Sequence, residues 1–195
     1  MCSSGGRAGY GFWQGTDRPS PDYANAKFVL LCSAHLESGH YFNPAAQRLT
    51  EGSHQGAKVA LIDPRLSNTA TTADYWLPTW PGTEAALLLA IAHVLLEEDL
   101  FDRAFVERWV NWRTYLSNRA PGAEQSFSSF VRLLKQDYAR YTPGFAEQET
   151  GVPAHVVVQV AREIAAAAPA FCSHIWRAAP PAICMDGRSR EASGC

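Results

Sequence analysis

The stretch "AKFVLLCSAHLESGHYFNPAAQRLTEGSHQGAKVALID", residues 26 to 63, decides the fold. Each end of it is a continuous apolar run, AKFVLLCSA (26–34) and AKVALID (57–63). Runs of this length, rich in branched aliphatic residues and bounded by polar ones, suit strands buried on both faces, as in a parallel sheet. Between them Asn43 and Pro44 supply a helix start and Gly52 a stop. Strand, helix and strand within about forty residues form a βαβ unit, whose crossover is right-handed.

Outward from this unit the alternation continues. ADYWLPTW (73–80) predicts a short third strand cut off by Pro81. From Thr83 to about Glu98 runs a helix that is apolar nearly all round, and therefore buried against the sheet. DRAFVERWVNW (102–112) has apolar residues at 105, 106, 109, 110 and 112, the spacing of an amphipathic helix, with Asp102 as its N-cap. Further helices are predicted over Phe127 to Tyr138 and over Pro153 to Ala168, with a turn and a short helical piece between them. AFCSHIW (170–176) is a last strand. The fold class is α/β, a three-layer sandwich around a mainly parallel, Rossmann-like sheet. After Arg177 the periodicity stops, so residues 179–195 read as an irregular tail and residues 1–178 as one partial domain. A βα fold should continue beyond that point, which reads as a truncation or as a non-native terminal stretch.

Composition limits the function. The 195 residues are 47% hydrophobic and carry a formal charge of -2, which argues against disorder and against a dedicated nucleic-acid binder. The five cysteines are widely spaced, with no CxxC, so a zinc ribbon or a four-cysteine cluster cannot be built locally. The longest apolar run, residues 85–96, is too short to span a bilayer. The N-terminus has no apolar signal region, so the chain as given reads as cytoplasmic. A missing upstream segment could still direct the full-length protein to the periplasm.

Ligands of open α/β sheets bind outside the carboxyl ends of the strands. Two loops leave such ends here, CSAHLESGH (32–40) and DPRLSNT (63–69), both rich in hydrogen-bonding groups. Asp63 and Ser67 are also ordinary turn formers, and Arg65 can be a solvated charge. PGTEAALL (81–88) opens a helix with Thr83 as a plausible cap. An acid in the first turn, Glu84, is favoured by the helix dipole alone. It could also accept two hydrogen bonds from the paired N–H donors of a guanine edge.

The order and spacing of these motifs resemble the molybdopterin oxidoreductases, the superfamily of dimethyl-sulfoxide reductase, periplasmic nitrate reductase and formate dehydrogenase catalytic subunits. The similarity is carried by KFVLLCSAHLESGH, by the segment from GAKVALIDPRLSNT to FVERWV, and by YTPGFAEQETGVPAHVVVQVAREIAAAAPAF. It implies a bis(molybdopterin guanine dinucleotide) cofactor holding molybdenum or tungsten, and two-electron redox or oxygen-atom transfer. By that resemblance, Ser33, His35, Glu37 and Ser38 match the family's first cofactor loop, with His35 in place of the usual Asn. Asp63, Arg65 and Ser67 match the second, and Gly82-Thr83-Glu84 matches a Gly-Thr-Asp segment whose acid contacts guanine. Cys2, followed by Ala8-Gly9, matches the cysteine that ligates the metal, and a soft thiolate suits such a centre. Ser3, where formate dehydrogenases have histidine, argues against formate as substrate.

The resemblance also implies further domains of a longer catalytic subunit and a small-molecule substrate. It implies an iron–sulfur electron-transfer subunit, with any [4Fe–4S] site confined to an upstream region. Two other readings stay open on the residues alone: a nucleotide-binding Rossmann domain of another oxidoreductase, and a non-catalytic binding module.

Overall fold

The computed structural model describes residues 20–38 and 43–175, together with Gly15. Four strands, β1 (Phe28–Cys32), β2 (Lys58–Ile62), β3 (Tyr75–Leu77) and β4 (Phe171–Ile175), form one parallel sheet in the order β3-β2-β1-β4. β1 lies at the centre and all five of its residues are buried, which explains its unbroken apolar run. Eight α-helices surround the described sheet: α1 (Asn43–His54), α2 (Asn68–Thr71), α3 (Glu84–Glu97), α4 (Arg103–Trp109), α5 (Trp112–Arg119), α6 (Phe127–Tyr138), α7 (Pro143–Thr150) and α8 (Ala154–Ala167).

Alternation along the strands splits the core into two layers. Phe28, Leu30, Ile62 and Leu77 face one side and pack on Leu87, Ile91 and Val94 of α3 and on Val157, Val160 and Ile164 of α8. Val29, Leu31, Val59 and Leu61 face the other and meet Tyr23, Leu36, Leu49 of α1 and Ala70 of α2. The architecture is therefore the three-layer α/β sandwich expected from the sequence. A third, smaller cluster of Trp112, Leu116, Phe127 and Phe130 joins α5 to α6, away from the sheet. No helix among the described residues is long and apolar enough to cross a membrane.

Several local expectations change. Gly52 does not stop α1, which runs on to His54. A Cβ on Gly52 would lie 2.2 Å from the carbonyl oxygen of Tyr23, so the glycine permits a close backbone approach inside the helix. The 102–112 pattern is not one helix. Asp102 does cap α4, accepting from the Phe105 N–H at 2.9 Å, but the chain leaves helical geometry at Val110 and restarts at Trp112. The apolar face of α4 is covered only in part among the described residues: Val106 packs against the third cluster, whereas Phe105, Trp109 and, just past the helix, Val110 are exposed. Pro153 is the N-cap of α8 rather than part of its first turn.

Candidate functional site

Three loops leave the carboxyl ends of three adjacent strands, and the structure ties them into one rim. After β1, Ser33 adopts a left-handed backbone with φ of 53° and donates its N–H to the Ile62 carbonyl at 2.8 Å. A serine rarely takes that conformation, at a cost of roughly 1–2 kcal/mol. Glycine takes it freely. His35, half-buried, follows between the buried Ala34 and Leu36. Leu36, Glu37 and Ser38 form a short 3-10 turn.

The second loop braces the first. The Thr69 hydroxyl of α2 donates to the Glu37 carboxylate and accepts from the Leu36 N–H at 3.1 Å. Ser67 is buried, and its hydroxyl caps α2 by accepting from the Ala70 N–H at 3.3 Å. Both Glu37 and Ser67 thus have structural work to do. Asp63 takes the turn-forming role: its carboxylate accepts from the Arg65 N–H at 2.8 Å. The exposed Arg65 guanidinium has no hydrogen-bond or ion-pair partner among the described residues.

The third loop is joined to the second by backbone and indole. The Asp63 N–H donates to Leu77 O at 3.3 Å, and the Trp76 Nε1–H donates to Asp63 O at 2.8 Å. Trp80-Pro81-Gly82-Thr83 then forms a tight turn, closed by the Thr83 N–H donating to Trp80 O at 3.1 Å. Proline at the second place and Gly82 at φ 89° at the third are the residues a type II turn requires. Thr83 occupies the N-cap of α3, but its hydroxyl donates back to Trp80 O at 2.7 Å and makes no cap bond. That bond fixes the turn. Glu84, partly exposed, opens α3, and its carboxylate has no partner among the described residues.

The arrangement has a direction. The strand order reverses between β1 and β4, so the crevice of a doubly wound sheet opens beside the Ser33 loop. From there the rim runs outward past Asp63 and Arg65 at β2 to Gly82 and Glu84 beyond β3. In dinucleotide-binding sheets the same path is followed by phosphates at the first loop and a ribose-binding acid at the end of the second strand. Reading each loop by itself does not reveal this ordering, because it depends on the strand order. Residues beyond Ile175 lie outside the described residues, as do Cys2 and the Ala8-Gly9 pair. No group of three or more His, Cys, Asp or Glu able to hold a metal occurs among the described residues.

Such a sheet defines the chain first as a doubly wound α/β domain. The comparisons then give the family. A family model for molybdopterin oxidoreductases matches residues 4–183, so the chain belongs to the molybdopterin oxidoreductase family. It is 32% identical over 177 residues to dimethyl sulfoxide reductase DmsA of Escherichia coli, covering 86% of this chain and 21% of DmsA. It is 35% identical over 148 residues to the thiosulfate reductase molybdopterin-containing subunit PhsA of Salmonella typhimurium, covering 76% and 17%. The arsenate respiratory reductase subunit ArrA of Chrysiogenes arsenatis is 32% identical over 177 residues, covering 88% and 20%. The chain spans about a fifth of the length of these relatives. In fold it is similar to acetylene hydratase from Pelobacter acetylenicus, with a TM-score of 0.76 at 24% identity, over 100% of this chain and 24% of that one.

Family membership implies a molybdenum or tungsten pterin cofactor, and three features of the rim fit a polar, anionic ligand with a nucleotide end. The Thr79 hydroxyl, in the loop leading to the turn, is buried without a hydrogen-bond partner among the described residues, a state that calls for a partner. A Cβ on Gly82 would meet nothing within 4 Å, so the turn stands in open space. Arg65 and Glu84 offer a cation suited to phosphate and an acceptor suited to N–H donors.

Proposed function

We propose that this chain supplies one guanine-nucleotide-binding arm of a molybdopterin oxidoreductase catalytic subunit. The observation that carries the reading is the order of groups along the rim: the Ser33–His35 turn at the crevice, Asp63 and Arg65 one strand out, Gly82-Thr83-Glu84 beyond the edge strand. In this reading the first turn approaches the phosphates with its backbone and with His35 and Ser38. Asp63 lies at the ribose, and Arg65 balances phosphate charge. Glu84 accepts from the N1–H and exocyclic amine of guanine. Glu37 and Ser67, cofactor contacts in the same loops, also hold those loops in register. Cys2 is proposed as the metal's protein ligand.

The bound group supplies two-electron redox or oxygen-atom transfer, and the pterin system relays electrons. The described residues bind and orient it. Turnover in this proposal belongs to the longer subunit, with its further domains, a small-molecule substrate and an iron–sulfur partner subunit. A Rossmann domain for nicotinamide has less support, because the loop after β1 lacks the glycine-rich phosphate fingerprint.

Isothermal titration of the 195-residue chain with GMP, AMP and NADH tests the reading. Binding of GMP in preference to AMP supports it. Binding of NADH with no response to guanine nucleotides contradicts it.

A further inference from the structure

The rim carries one feature that the reading above leaves unused. Trp80 is 66% exposed, yet it does not sit on a loose segment. Its N–H donates to Thr150 O at 3.2 Å, and its carbonyl accepts from both the N–H and the hydroxyl of Thr83. The five-membered ring of the indole rests on Gly151: a Cβ there would lie 3.3 Å from Nε1 and 3.9 Å from Cδ1 and Cε2. Gly151 itself takes φ 79° as the left-handed end of α7, so the seat is a backbone surface that a side chain would spoil. The sequence thus spends a closed turn and a glycine platform on holding a large aromatic group in solvent. With one face seated on backbone and the other open, the indole is a fixed flat surface of the kind a planar ligand stacks on.

Resting on the guanine-nucleotide reading of this same rim, we infer that Trp80 is a stacking residue for the purine base. The type II turn brings Trp80 close to Thr83, with Glu84 next in the chain. A base whose edge is read by the Glu84 carboxylate therefore lies within reach of the indole. The two residues have different duties. Glu84 selects guanine through its donors, whereas Trp80 adds affinity through the ring face, which every purine shares.

The test uses the full 195-residue chain with GMP and with IMP, which lacks the exocyclic amine, in four forms: unaltered, Trp80→Ala, Trp80→Phe and Glu84→Gln. Affinity is read by isothermal titration and, separately, by quenching of tryptophan fluorescence. Circular dichroism melts check that each variant is folded. The expected result is that Trp80→Ala weakens GMP and IMP alike, by about tenfold or more, and leaves their ratio unchanged. Trp80→Phe keeps most of the affinity but loses the larger part of the quenching, leaving only what Trp76 on the same rim contributes. Glu84→Gln removes the preference for GMP and keeps the quenching. If Glu84→Gln abolishes the preference while Trp80→Ala leaves both affinities intact, the stacking role is overturned and the guanine reading stands. If the unaltered chain binds neither nucleotide, both are overturned.

Discussion

The carboxyl rim of the sheet and the helix pair α5–α6 treat their charged and aromatic groups in opposite ways. Around this pair several polar groups bind one another. Asp137 accepts from the Arg119 guanidinium at 2.9 Å and from the Tyr115 hydroxyl, and Lys135 meets Asp99 at 3.0 Å. Its aromatics close on themselves, Trp112 edge-on to Phe127 at 5.7 Å between ring centres and Tyr115 edge-on to Phe130 at 5.5 Å. On the rim, Arg65 and Glu84 have no partners among the described residues, Trp80 stands in solvent, and Ser33 holds a left-handed backbone. Groups satisfied internally stabilise a fold. Groups held in place and left unsatisfied are available to a ligand.

The largest expected effect breaks the helical side alone. Trp112→Ala removes the 3% exposed centre of the small aromatic cluster and is expected to cost about 3–5 kcal/mol. Urea denaturation should show that loss, while the folded fraction keeps its nucleotide affinity. Arg65→Ala should do the reverse. Its side chain is exposed, so the melting temperature should hardly move, while affinity for guanine nucleotides falls roughly tenfold, as for loss of a charge-assisted phosphate contact. An equal loss of both quantities in either variant would erase the distinction between the regions.

Tyr115 sharpens the comparison through pH. Burial first, then its hydrogen bond to the Asp137 carboxylate, pushes its phenol from near 10 up to about 12. A raised acid contributes stability that is complete below pH 10 and is lost as pH rises from about 10 to about 12. Tyr115→Phe should cost about 1 kcal/mol at neutral pH and should flatten that part of the alkaline stability profile, as followed by chemical denaturation. Ser33→Gly is the smallest effect. Relief of the left-handed serine should stabilise the chain by up to about 1 kcal/mol, read as a higher urea midpoint.

Legibility in the sequence followed the physics of each element. β1 and β2 were readable because burial on both faces forces an unbroken apolar run, and α6 because its apolar stripe is strongly periodic and Ser126 caps it. α5 left little signal, since WRTYLSNR buries only Trp112 and Leu116. The spacing of α4 points to a buried face, whereas only Val106 packs on the third cluster and Phe105 and Trp109 are exposed. Gly52 resembles a helix stop in the sequence because its close approach to the Tyr23 carbonyl is tertiary and leaves no local mark. The candidate rim residues could be named from motif resemblance. Their order could not, because it depends on β3-β2-β1-β4. Nor could the bracing roles of Glu37 and Ser67, one of which joins groups thirty-two positions apart.

The central claim is that Glu84 reads guanine at the end of this rim. Isothermal titration of GMP against IMP with the unaltered chain and with Glu84→Gln tests it most directly. The account predicts that the unaltered chain prefers GMP by about tenfold, as for one charge-assisted hydrogen bond, and that Glu84→Gln removes the preference without lowering stability. Equal affinity of the unaltered chain for GMP and IMP, or a preference that survives in Glu84→Gln, would contradict it.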